Sequence, residues 1–154
     1  SYNVVFVDQQ PHALIDWDTA GPGPQVWDLA YAVCRFVPLS WAEDIVALGL
    51  ADPSKQSRRL RLFCDEYGLA SRDEVLPMVE RRIQLMCDML IQGAARGEPA
   101  WQKMVAKGHL AHYQRELAAF GAHRAALAEG LLGSRAAMKW FGKHRHRDNE
   151  RISL

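Results

Sequence analysis

Glycine and proline alternate through Gly21-Pro22-Gly23-Pro24, and no strand ladder or helix runs through such a stretch. Glycine opens dihedral regions closed to other residues, while each proline fixes φ and removes a backbone donor. The chain therefore turns here in a fixed shape, and the residues on either side fold as separate elements. Upstream, the apolar runs over residues 4–8 and 12–15 are separated by Gln9-Gln10-Pro11, the pattern of a β-hairpin. The second run ends in Asp16, which delivers a carboxylate at the mouth of a strand, where side chains leave the core and can meet a metal or a phosphate. Two strands alone are only marginally stable, so the hairpin is expected to pack on helices or on a sheet from elsewhere.

Downstream, every segment reads as helix. From Val26 to about Val37, Leu29, Val33 and Phe36 recur on one face and Pro38 stops the run. This helix is apolar on most sides and is expected at the centre of the core. Ser40 caps a short helix from Trp41 that fades by Gly49. Asp52-Pro53 supplies an N-cap and a first-turn proline for a helix through Leu60 and Phe63 to Tyr67, ended by Gly68. Ser71 and Glu74 form a capping-box signature for the next helix. Its Val75, Val79, Ile83, Met86 and Leu90 make the cleanest amphipathic stripe in the chain, and it ends near Gly97.

Pro99 opens a second long helix, from about Ala100 to Ala128, with Trp101, Val105, Gly108, Leu117 and Phe120 on its inner face. The short Gly97-Glu98-Pro99 connection makes the two an antiparallel pair. Gly108 in mid-helix costs about 1 kcal/mol relative to alanine, so it marks a close helix crossing or is simply tolerated. Leu131 to Phe141 reads as a further short helix, and the chain from Lys143 as a mobile end. The fold class is mainly α, a short N-terminal β-hairpin followed by helices.

At 154 residues and 49% hydrophobic, the chain is long enough for one globular domain with a sizeable core. A net charge of +1 argues against a dedicated nucleic-acid protein. From Gly133 to Leu154, six Arg or Lys residues stand against Asp148 and Glu150, so this tail is basic and the rest of the chain acidic. A basic tail can attract phosphate-rich partners, but a solvated, disordered terminus is the plainer reading. Cys34, Cys64 and Cys87 are odd in number and far apart, which suits reduced core thiols in a cytoplasmic protein. No apolar run reaches the roughly 18 residues of a membrane span, so a soluble chain with no membrane partner is expected.

Three segments resemble a known family. Asn3-Val4-Val5-Phe6-Val7-Asp8, Ala13-Leu14-Ile15-Asp16-Trp17-Asp18 and Trp27-Asp28-Leu29-Ala30 are similar to the catalytic core of the aminoglycoside phosphotransferase and choline kinase-like family, which is related in fold to protein kinases. In that family a catalytic loop of His-Gly-Asp, four residues and Asn precedes a hairpin whose second strand ends in a metal-binding Asp. Asn3 matches the Asn and Asp16 the metal Asp. The resemblance implies the helical C-terminal lobe of a kinase-like fold over residues 1–132, followed by the basic tail over 133–154. It implies transfer of the ATP γ-phosphate to a small-molecule hydroxyl, with Mg²⁺ held by Asn3 and Asp16, and Asp16 bridging to the nucleotide phosphates. Asp28 would brace the catalytic loop through backbone hydrogen bonds.

Outside that resemblance Asp16 reads as a turn cap, Asn3 as a terminal residue and Asp28 as an acid favoured near a helix N-terminus. Asp18 either joins the site, since the family often has an acid nearby, or stays solvated or caps the loop. The resemblance puts the catalytic base upstream of Ser1 and calls for a nucleotide-binding N-terminal lobe that these residues do not supply. The chain alone is therefore expected to be inactive, a truncated portion of such a kinase. The alternative is a non-catalytic helical binding module of the same fold, forming a homo-oligomer through surface the missing lobe would cover.

The remaining candidates are weaker. His109 and His112 lie one helical turn apart, but with His123 far along the chain they fall short of a four-ligand zinc site. Trp41, Glu43, Asp44, Asp65 and Asp88 are acid and aromatic groups of the kind a cationic acceptor needs, although scattered helical carboxylates are usually solvated.

Overall fold

The apolar runs near the N-terminus pair as an antiparallel hairpin, β1 (Val4–Val7) and β2 (Gln10–Leu14), in a computed structural model that describes residues 4–15, 22–41, 43–69 and 71–133. The turn sits on Asp8 and Gln9, both at positive φ (49° and 62°), the backbone that matches the twist of a two-residue hairpin. The second strand therefore starts at Gln10, earlier than the sequence pattern suggested, with Pro11 tolerated because the strand is an edge. Val5 pairs with Ala13 and Phe6 with Pro11, so His12 is the extra residue of a β-bulge. The expected packing of this hairpin on helices is not found among the described residues: Val5, Phe6, Val7, Leu14 and Ile15 are all exposed.

Among the described residues six helices follow: α1 (Gln25–Phe36), α2 (Glu43–Ala47), α3 (Pro53–Glu66), α4 (Val75–Ala95), α5 (Pro99–Ala106) and α6 (His109–Leu132). The protein is thus mainly helical behind a short N-terminal hairpin. Helix α6 packs on α3 and α4, α1 packs on α4, and α5 folds back on α4. The core between them holds Leu29 and Val33 of α1, Leu60 of α3, Val75 and Val79 of α4, and Phe120, Leu127 and Leu131 of α6. Helix α1 buries one face against α4, with Ala30 and Val33 fully buried, but Tyr31 and Phe36 are exposed, so the burial expected on most of its sides, and Phe36 on its inner face, are not found. Polar ties fix the packing: Arg124 of α6 pairs with Glu80 of α4 at 2.6 Å, and buried Gln56 of α3 donates to the Pro38 carbonyl at 2.9 Å. No helix among the described residues is long and apolar enough to cross a membrane.

Helix boundaries follow local chemistry where that chemistry is strong. Asp52 caps α3, its Oδ1 accepting from the Ser54 backbone N–H at 2.9 Å and the Ser54 hydroxyl at 2.7 Å, with Pro53 in the first turn. These bonds favour the charged carboxylate, and the Asp52 pKa is lowered, first by the Ser54 side chain and then by its backbone. A lowered folded-state pKa gives stability that is present above the ordinary carboxylate range and lost as pH falls through the folded value. Asp52→Asn keeps an oxygen acceptor without the charge. It is expected to melt below wild type at neutral pH and to converge with it in strong acid; a gap that stays constant down to pH 2 would show that the charge contributes nothing.

Several boundaries differ from expectation, among them the start of α2, at Glu43 rather than Trp41. The Ser71–Glu74 capping box does not form, because a turn at Asp73-Glu74 intervenes, with Val75 N–H bonded to the Arg72 carbonyl at 3.2 Å. Glu74 is consequently the N-cap residue, and its side chain makes no capping bond. The second long helix is broken at Gly108, whose φ of 82° is left-handed, a conformation glycine adopts without steric cost. A Cβ at Gly108 would meet nothing within 4 Å, so this glycine serves a backbone break and no helix crossing. The close crossings lie elsewhere, where Gly93 of α4 faces Trp101 and Gly130 of α6 faces Ser57. Helix α6 continues to Leu132, past the expected end at Ala128 and into the segment read as a further helix; the rest of that segment and the basic tail lie outside the described residues.

Candidate functional site

Trp27-Asp28-Leu29 opens α1. Pro24 stands at the N-cap in an extended conformation (φ −60°, ψ 138°), and its carbonyl accepts from Trp27 N–H at 2.8 Å. Leu29 and Ala30 point into the core, Trp27 is partly buried, and Asp28 and Tyr31 are exposed. Asp28 sits in the first helical turn, where the dipole favours a carboxylate. The expected metal ligands Asn3 and Asp16, and Asp18 as a possible further acid, lie outside the described residues.

Next to Trp27-Asp28 the structure brings a residue that the sequence reading did not single out. Arg82 of α4 lays its guanidinium carbon 4.3 Å from the centre of the Trp27 ring and 4.9 Å from that of Tyr31. Burial lowers the Arg82 pKa, while Cys34, Asp28 and Tyr31 act in the opposite direction; an arginine in such surroundings stays charged. A signal for it existed. Arg82 falls three residues after Val79 and four before Met86, inside the stripe that α4 turns toward its neighbours, and a charge in an apolar stripe calls for a partner.

The remaining candidates are engaged separately. Trp41 stacks on His123 with ring centres 4.5 Å apart and planes 13° from parallel, which docks the segment before α2 onto α6. Asp65 pairs with Arg72, and Asp88 accepts from the Gln84 side-chain amide at 2.8 Å. Glu43 is exposed, as are His109 and His112, the latter edge-on to Tyr113. Among the described residues no three His, Cys, Asp or Glu gather where they could hold a metal ion. None of the three cysteines is in a disulfide. Burial pushes the thiols of Cys64 and Cys87 up, keeping them protonated and unsuited to nucleophilic chemistry.

The chain matches no known protein family, no curated protein and no solved structure.

Proposed function

We propose that these residues are the helical-lobe portion of a phosphotransferase-like kinase of the aminoglycoside phosphotransferase and choline kinase-like type, whose chemistry is transfer of the ATP γ-phosphate to a small-molecule hydroxyl. The observation that supports it is the hairpin register. Val4 pairs with Leu14, so the chain enters and leaves the hairpin side by side; Asn3 directly precedes Val4, and Asp16 directly follows Ile15. A carboxylate and an amide oxygen are hard donors of the kind Mg²⁺ takes alongside waters and phosphates. When bound, the metal would neutralise charge on the transferring phosphoryl group, the main electrostatic work of such enzymes. In this reading Asp16 and Asn3 would hold the metal, Asp28 would brace the loop ahead of the hairpin, and Asp18 would be a further acid nearby.

The test is ATP turnover by the full-length gene product against a panel of small hydroxyl compounds. Phosphorylation that depends on Mg²⁺ and falls at least about a hundredfold in Asp16→Asn is expected, since the metal ligand contributes several kcal/mol of transition-state stabilisation. Turnover unaffected by that substitution would overturn the reading.

The exposed apolar side chains of the hairpin favour a second reading, a non-catalytic module that self-associates through this surface. It predicts a concentration-dependent dimer by sedimentation that Phe6→Lys returns to monomer. A chain that stays monomeric at high concentration rules it out.

A further inference from the structure

We propose that Arg82, stacked on Trp27 and Tyr31, anchors a binding site for the oxyanion group of a small molecule, a phosphate or a carboxylate. The guanidinium is partly buried between α1 and α4. It forms no ion pair and no hydrogen bond with any described residue. Two aromatic faces attract it, but a ring face accepts none of the five N–H bonds a guanidinium offers. Those donors lie on the edge of the group, so stacking leaves them free to make a bidentate pair with an oxyanion. Asp28 attracts Arg82 from the first turn of α1 but does not reach ion-pair distance and is itself exposed. The one nearby described carboxylate therefore holds the charge without occupying its donors.

The fold supports the site on both sides. Trp27 and Tyr31 are one helical turn apart, so their rings share the face of α1 that meets α4. Arg82 lies well inside α4, where the backbone is fixed by the buried Val79 and Leu76 before it and Cys87 after it. Two packed helices thus present the cation in one geometry. That arrangement lowers the ordering cost of binding. The inference stands on these contacts and does not depend on the phosphotransferase reading.

The test follows the Arg82 Nε–H and Trp27 indole N–H resonances of the whole chain during titration with inorganic phosphate and, separately, with acetate, at constant ionic strength. Saturable shifts in both signals are expected. Arg82→Gln should weaken the affinity by about tenfold or more, the range for a lost charge-assisted hydrogen bond. Arg82→Lys keeps the charge without the planar fork and should lose a smaller part. Tighter binding of phosphate would assign a phosphate-bearing ligand, and tighter binding of acetate a carboxylate. The proposal is overturned if wild type shows no saturable shift, or if Arg82→Gln, or Arg82→Lys where the first variant does not fold, binds as wild type does. Binding that appears only after Asp16 and Asp18 are both changed to Asn would mean that the arginine pairs within the chain, which also overturns it.

Discussion

Phe120→Ala is expected to cost about 3–5 kcal/mol of folding free energy, the range for emptying a fully buried phenylalanine site. Phe120 is fully buried and heads the largest enclosed side chains of the described residues. It sits on α6, the helix that packs on both α3 and α4, so its ring is part of the core joining three helices. Truncation removes the transfer free energy of the ring and leaves a cavity that these helices close only in part. One turn further on, Arg124 is tied to Glu80 of α4, which holds α6 in place and limits any collapse into the space. A domain of this kind is stable by about 5–15 kcal/mol in all, so the variant loses a large share. Urea denaturation should show a much lower midpoint at an unchanged slope. The same truncation at Leu62, which is 49% exposed on α3, should stay within about 0.5 kcal/mol. A Phe120→Ala loss below about 1 kcal/mol would mean that the core is not organised around this ring.

What the sequence made legible follows from how local each determinant is. The α3 boundaries were readable because Asp52, Pro53 and Gly68 act on their own backbone and immediate neighbours. The inward stripe of α4 was readable because periodicity over five apolar residues survives any tertiary context. Gly108 was misread because the apolar spacing continues through it, and one glycine is compatible with either a helix or a left-handed break. Glu74 was misread because a capping box depends on where the first helical turn starts, and the turn at Asp73-Glu74 moves that point. The Arg82 cluster and the Trp41–His123 stack join residues far apart in sequence. No window along the chain contains both partners; only the misplaced charge at Arg82 hinted at one. Asn3 and Asp16 were singled out in another way, through the resemblance of their order rather than through physical pattern.

The close approach of α4 and α5 yields the second large effect, a Gly93→Ala substitution that should destabilise the protein by about 1–3 kcal/mol, the range for overpacking. Alanine at an unobstructed helical glycine usually stabilises, by about 0.4–1 kcal/mol, so the sign itself is diagnostic. A Cβ on Gly93 would lie 2.9 Å from the Cβ of Trp101, and closer still to Cγ and Cδ1 of the indole. These atoms are the root of the tryptophan side chain, and a change of rotamer does not move its Cβ. Helix α5 would have to shift, yet it is held by a tight turn in which Glu98 N–H bonds to the Gly93 carbonyl at 3.1 Å. In a Trp101→Ala background most of the obstruction is gone, and Gly93→Ala should cost little, giving a coupling on the order of 1–3 kcal/mol between the two sites. Gly121 of α6 is the internal control, because a Cβ there meets nothing within 4 Å and Gly121→Ala should raise stability. Equal gains at Gly93 and Gly121 would show that α4 and α5 do not touch as closely as their packing requires. A loss at Gly93 that Trp101→Ala leaves unchanged would place the strain in the α4 backbone rather than in the indole contact.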